Sequence, residues 1–200
     1  RMPLVDEPFK RIAIDLVGPL SPPSEEKHRY ILSVIDVATR YPEAIPLKAI
    51  DTVTIAEELF KVFSRMGCPQ EILSDNGSQF TSGLMKEIFR LLSIKGVHTS
   101  PYHAQSNGVV ERFHGTLKPM LKKVIQKQPK LWHRYLPALL FACRELPNES
   151  TGYSPFELMF GRQPRGPMEL LANTWTDHSV SQEEKSLCQY VFDLKNTITE

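Results

Sequence analysis

The period of the apolar residues changes once along this chain, and that change constrains the fold more than any other feature. Before Asp51 the apolar residues come in short runs. Ile12-Ala13-Ile14-Asp15-Leu16-Val17 is apolar at every position but one and stops at Gly18-Pro19, the pattern of a strand ended by a turn. Tyr30 to Asp36 forms a second run rich in β-branched residues, and Glu43 to Leu47 a third, placed near an edge by Pro42 and Pro46. Beyond Asp51 the spacing becomes helical. Ile55, Leu59, Val62, Phe63 and Met66 line one face, with Asp51 or Thr52 as N-cap and Gly67 as the stop.

The rest of the chain alternates between the two periods. Glu71 to Ser74 predicts a fourth strand running into the tight turn Asp75-Asn76-Gly77, and a second helix follows from about Ser82 to Leu92. A short strand near Val97 to Thr99 and a loop at Ser100 to Ser106 come next. Helical spacing then returns with Val110, Phe113, Leu117, Leu121 and Val124 on one face, and Glu111, His114, Lys118 and Lys122 on the other. Pro119 lies inside this helix, where the missing donor predicts a kink. A further helix spans roughly Leu131 to Arg144, and Trp132 and Trp175 read as packing residues. Three successive strands predict a meander, and the whole order is α/β, one sheet with helices available to both faces.

With 200 residues, 41% of them hydrophobic, the chain can bury one full core with a ragged end. The division expected is a linker at 1–9, a core at 10–165, and at 166–200 a linker with the start of a helix carrying Leu187, Tyr190, Val191, Leu194 and Ile198. The start at Arg1 rather than Met reads as a cut from something longer. No apolar run approaches the roughly 20 residues that span a bilayer, so no membrane partner and an intracellular setting are expected. Cys68, Cys143 and Cys188 are odd in number and far apart, which predicts reduced, mostly buried thiols rather than a zinc site or disulfides. A net charge of +1 excludes indiscriminate coating of nucleic acid, but Arg112 to Arg134 holds seven Lys or Arg and no Asp or Glu.

Three acids stand in positions that chemistry rather than solvation would select. Asp15 interrupts an apolar strand, where an unpartnered carboxylate is expensive to bury. Asp75 sits at the exit of the fourth strand, and Glu111 near the start of a helix whose other face is core. Rigid elements that converge hard oxygen ligands can hold Mg²⁺ and leave positions open for phosphate and water. Asp36, at the end of the second strand, reads instead as a hydrogen-bonded structural residue.

Two segments give this set a family. Ser74 to Ser82 (SDNGSQFTS) and Pro101 to Arg112 (PYHAQSNGVVER) closely resemble the two signature segments of retroviral and LTR-retrotransposon integrases, with residues 76 to 110, 35 of them, between Asp75 and Glu111 as in that family. Ser150 to Arg162 looks most like the gypsy-type retrotransposon members. The resemblance implies an RNase H-like fold, a five-stranded mixed sheet with helices on both faces. It implies that Asp15, Asp75 and Glu111 are catalytic and bind two Mg²⁺ or Mn²⁺ ions, Asp15 bridging both. It further implies DNA contacts from Asn76, Tyr102, Gln105, Asn107, His114, Lys118 and Lys122, element ends and target DNA as partners, cores paired as dimers, and a nuclear setting. The reaction implied is 3′-end processing followed by strand transfer.

Two other readings compete. A host-domesticated relative would bind DNA or protein without catalysis, against which the intact carboxylates stand. An RNase H-type nuclease would carry its glutamate on the first helix, where Glu57 and Glu58 occur, whereas Glu111 follows Gln105-Ser106-Asn107-Gly108 as in integrases.

Overall fold

Strand β1 (Arg11–Val17) shows how the sequence makes the architecture, because its successive side chains enter two different cores. Ile12 and Ile14 pack on one side of the sheet, Ala13 and Val17 on the other. A strand buried on both faces needs apolar residues at nearly every position, as this one has. The computed structural model describes residues 7–98, 104–148 and 151–166.

Strands β2 (Tyr30–Asp36) and β3 (Pro42–Leu47) continue from β1 as an antiparallel meander, with Asp15 opposite Ser33 and Leu32 opposite Ile45. Helix α1 (Thr52–Met66) then crosses over to β4 (Glu71–Ser74), which lies parallel to β1 with Ala13 beside Leu73. Asp51 caps α1 through the Thr54 amide, and Gly67 ends it with a positive φ of 89°. A short helix α2 (Ser78–Thr81) and helix α3 (Gly83–Leu91), capped by Ser82, lead to β5 (Lys95–His98), parallel to β4. The sheet order is β3-β2-β1-β4-β5, the five-stranded mixed sheet expected.

The helices α1 and α3 cover the face of Ile12, Ile14, Leu32 and Ile72. The other face is covered by α4 (Ala104–Lys127) and α5 (Trp132–Glu145), whose Leu117, Leu121, Trp132 and Leu136 meet Ala13, Val17, Ile31 and Ile35. Trp132 is fully buried, as a packing residue should be. A final helix α6 (Pro155–Phe160) begins with a capping box between Ser154 and Glu157 and ends at Gly161 in the left-handed conformation.

Several expectations change. The α4 helix starts at Ala104, so residues 104–106 are helical rather than loop. It runs on to Lys127 with Pro119 inside it, so the proline does not end the helix. Pro119 is exposed, and nothing crowds Gly115, so the carbonyl that loses its donor there is free to meet water. Cys68 is exposed rather than buried, because it falls just past the Gly67 stop. Cys143 is a free thiol inside α5, and burial pushes it up to about 12. Cys188, Trp175 and the helix expected near the C-terminus lie outside the described residues. Among the described residues no helix is long and apolar enough to cross a membrane.

Candidate active site

The parallel pairing of β1 and β4 brings two of the three acids together. Beyond the pair Ala13–Leu73 stand Asp15, two residues further along β1, and Asp75, the first residue past the end of β4. Neighbouring strands are about 4.8 Å apart, and side chains of the same parity share a face. Ala13 faces α4, so Asp15 does as well, and Asp75, just past β4, is close enough for its charge to act on Asp15. Asp15 is half-buried and takes a hydrogen bond from the Leu16 amide at 2.8 Å; Asp75 is exposed and takes one from the Gly77 amide at 2.9 Å. Burial pushes the Asp15 carboxyl above the ordinary aspartate range, the Leu16 amide opposes this, the Asp75 charge adds to it, and Lys118 draws it back. Two like charges at one strand end, one of them poorly solvated, leave a local deficit of positive charge.

Helix α4 supplies the third acid and most of the compensation. His114 lies with Nδ1 3.6 Å from Asp15 Oδ2, and its Nε2 is 2.9 Å from the hydroxyl of Ser33. Ser33 is the cross-strand partner of Asp15 and is fully buried. Burial first, and Lys118 second, push the His114 imidazole down to about 4, so it is neutral near pH 7 and its approach to Asp15 is not an ion pair. At 3.6 Å the Asp15 contact is too long for a hydrogen bond. One tautomer serves both neighbours: N–H on Nδ1 toward Asp15, and Nε2 accepting from Ser33. Glu111 is three residues before His114, therefore one turn away on the same side of α4, and it is exposed. Lys118, one turn the other way, is exposed and close enough to act on both Asp15 and His114.

The strand ends and α4 thus gather Asp15, Asp75, His114 and Lys118, with Glu111 beside them. The three carboxylates are spread wider than a single closed cage, since their oxygens do not form a set within 4.8 Å of one another. Three hard oxygen donors around an open space can share more than one divalent cation and still admit a phosphate.

At family level, residues 5–104 match the Integrase core domain. The chain belongs to the integrase core domain family. It is 32% identical over 185 residues to the Pro-Pol polyprotein of simian foamy virus type 3, covering 92% of this chain and 16% of that one. It is 29% identical over 163 residues to the mouse Gypsy retrotransposon integrase-like protein 1, covering 82% of this chain and 31% of that one. The integrase core described here therefore spans less than a third of either relative. Among solved structures, the HTLV-2 integrase catalytic core domain in complex with magnesium superposes with a TM-score of 0.61 at 19% identity, over 76% of this chain and 97% of that one. The fold is RNase H-like, as that of retroviral integrase cores.

The other expected site residues fall into three groups. Asn76 is exposed in the turn after Asp75, and Lys122 is exposed one turn beyond Lys118. Tyr102 lies outside the described residues, while Gln105 and Asn107 lie on α4 with only their backbone described. His114 departs from its expectation: at 7% exposure it faces Asp15 and Ser33 rather than a ligand in solvent, because α4 presses this part of its face against β1 and β2. Ser33 was not expected at all. Its one signal is being the polar residue inside the apolar run of β2, and the partner that explains it comes from register. Asp36 is structural, as expected, accepting from the Thr39 amide at 3.0 Å and hydroxyl at 2.6 Å.

Proposed function

We propose that this integrase core carries out metal-dependent polynucleotidyl transfer on DNA. The convergence of Asp15 and Asp75 at adjacent parallel strand ends, with Glu111 one turn from the histidine that touches Asp15, carries the reading. Its products would be a freed 3′-hydroxyl at the element end, made by hydrolysis, and then a new phosphodiester when that hydroxyl attacks target DNA.

The donor set fits Mg²⁺ or Mn²⁺. All three ligands are hard carboxylate oxygens, and the Asp15 carboxyl is already pushed up by burial and by Asp75, a penalty that a cation between them would relieve. Asp15 would be shared between two ions, with Asp75 and Glu111 each holding one. Bound there, such ions supply the positive charge that activates an attacking oxygen and steadies a leaving one. The chain's own groups do the rest. His114, held by Ser33, limits the directions Asp15 can take. Lys118 places positive charge next to the carboxylates, and Lys122 extends it one turn along α4, where a DNA backbone would lie. Tyr102, Gln105, Asn107 and Asn76 complete the proposed DNA contacts. Pairing of cores and action in the nucleus belong to the same reading.

The test is a disintegration assay on a branched DNA substrate with Mn²⁺, comparing wild type with Glu111→Gln. The reading expects strand rejoining in the wild type and its loss in the variant. A wild type without metal-dependent activity, or a variant as active as it, refutes the assignment.

A further inference from the structure

A second set of ligand atoms lies outside the carboxylate site and shares no residue with it. Glu26 and His28 stand in the turn between β1 and β2, and His133 in the first turn of α5. One ligand atom from each of the three lies within 4.8 Å of the other two. His133 Nε2 is 3.1 Å from Glu26 Oε1, and the two imidazole rings are 5.2 Å apart between centroids, tilted by 46°. Tetrahedral zinc with bonds of about 2.0–2.1 Å separates its ligand atoms by roughly 3.3 Å. The Glu26–His133 edge is already within a few tenths of an ångström of that value.

The surroundings favour ligation over a simple pair of charged groups. His28 and His133 are each only 9% exposed, and the Trp132 ring meets both edge-on. His133 turns its Nε2 toward Glu26, while its Nδ1 is buried without a hydrogen-bond partner. His28 Nδ1 lies 3.1 Å from the Ser24 hydroxyl, which also accepts from the His28 amide. Donation from Nδ1–H to that oxygen leaves the Nε2 lone pair free, the outer hydrogen bond that ligating histidines commonly have. The turn itself is held in place: the Glu25 amide donates to the Lys130 carbonyl at 2.8 Å, and Glu25 pairs with Arg134. Glu26 remains half exposed, which leaves one side of the site open to water.

From this geometry we infer that Glu26, His28 and His133 form a binding site for a zinc-class divalent cation, with water as fourth ligand, tying the β1–β2 turn to the start of α5. Two imidazoles and one carboxylate select borderline cations such as Zn²⁺ or Co²⁺ over Mg²⁺. The site is structural: the elements it joins frame the same end of the sheet as Asp15 and Asp75, and the cation restrains the turn that follows β1.

The experiment uses the whole 200-residue chain, stripped with a chelator and titrated with Co²⁺ and Zn²⁺. Expected are one equivalent of Co²⁺ with the intense visible absorption of a tetrahedral site, its displacement by Zn²⁺, and a rise in Tm. His133→Ala and His28→Ala should abolish the spectrum. Glu26→Gln, a surface change that cannot unfold the chain, should weaken affinity at least about tenfold, since loss of even an outer partner typically costs 10–100-fold. The variant Asp75→Asn with Glu111→Gln should leave the spectrum intact. No stoichiometric binding, or a signal that persists in the histidine and Glu26 variants and disappears in the carboxylate variant, overturns the inference.

Discussion

Removing the Ser33 hydroxyl tests whether His114 is part of the carboxylate site's frame or an outward DNA contact. In Ser33→Ala the buried Nε2 of His114 loses its partner at 2.9 Å, in a place where Ser33 is fully buried and His114 is 7% exposed. Leaving a buried polar atom unpaired costs about 1–3 kcal/mol. A chain of this size loses about 2–4 °C of Tm per kcal/mol, so the expected drop is roughly 2–12 °C. His114→Ala strands the Ser33 hydroxyl in turn and opens a cavity against β1 and β2, for a cost of about 2–4 kcal/mol. The double variant has no stranded partner. Its cost should therefore fall short of the sum of the two single costs by about 1 kcal/mol. Activity should follow a different pattern. His114→Ala frees Asp15 to turn and should lower metal-dependent strand rejoining about 10–100-fold, whereas Ser33→Ala, which leaves the ring in place, should lower it less.

The measurements are thermal unfolding with a chelator present and the disintegration assay in Mn²⁺. If His114 served DNA from the surface, Ser33→Ala would leave Tm unchanged and the two costs would add. Either result would refute a positioning role for His114.

Asp15→Asn should abolish activity yet raise Tm in the presence of chelator, because burial and Asp75 disfavour the Asp15 charge in the folded chain; a lowered Tm would show that the carboxylate is well compensated without metal. His114 is pushed down to about 4 from an ordinary 6.5, so between those values the unfolded chain takes up a proton that the folded one refuses. Stability should therefore fall as pH drops from 6.5 to about 4, and His114→Ala should flatten the slope of Tm against pH in that window. Lys118→Ala should weaken DNA binding at low salt and reduce the slope of log affinity against log salt by about 1; an unchanged slope excludes a phosphate contact there. Cys68 is exposed while burial pushes Cys143 up to about 12, so iodoacetamide at pH 8 should alkylate Cys68 quickly and Cys143 only on unfolding, as read by peptide mass mapping.

What could be read in the sequence, and what could not, follows from the range of the interactions involved. The five strands and the helices α1, α3, α4 and α5 were legible because each is written in neighbours: β-branched runs, helical spacing, Asp51 as a cap, Gly67 as a stop. The α6 helix carried equally local marks, with Pro155 after Ser154, Glu157 at the capping position and Gly161 at the end, but its six residues are too short for a period to show. The partners of Ser33 are of another kind. The hydroxyl meets a histidine 81 positions away, and Asp15 lies opposite it only because β1 and β2 pair in one register out of several. A shift of one residue would turn Asp15 and Ser33 to opposite faces of the sheet, so that His114 could meet only one of them. The same limit hid Glu26, His28 and His133, since 107 positions separate the first from the last. Composition and spacing could thus name Asp15, Asp75 and Glu111 as candidates one by one. Which face they share, which histidine stands behind them, and which second cluster stands apart depend on register and packing, which tertiary structure alone supplies.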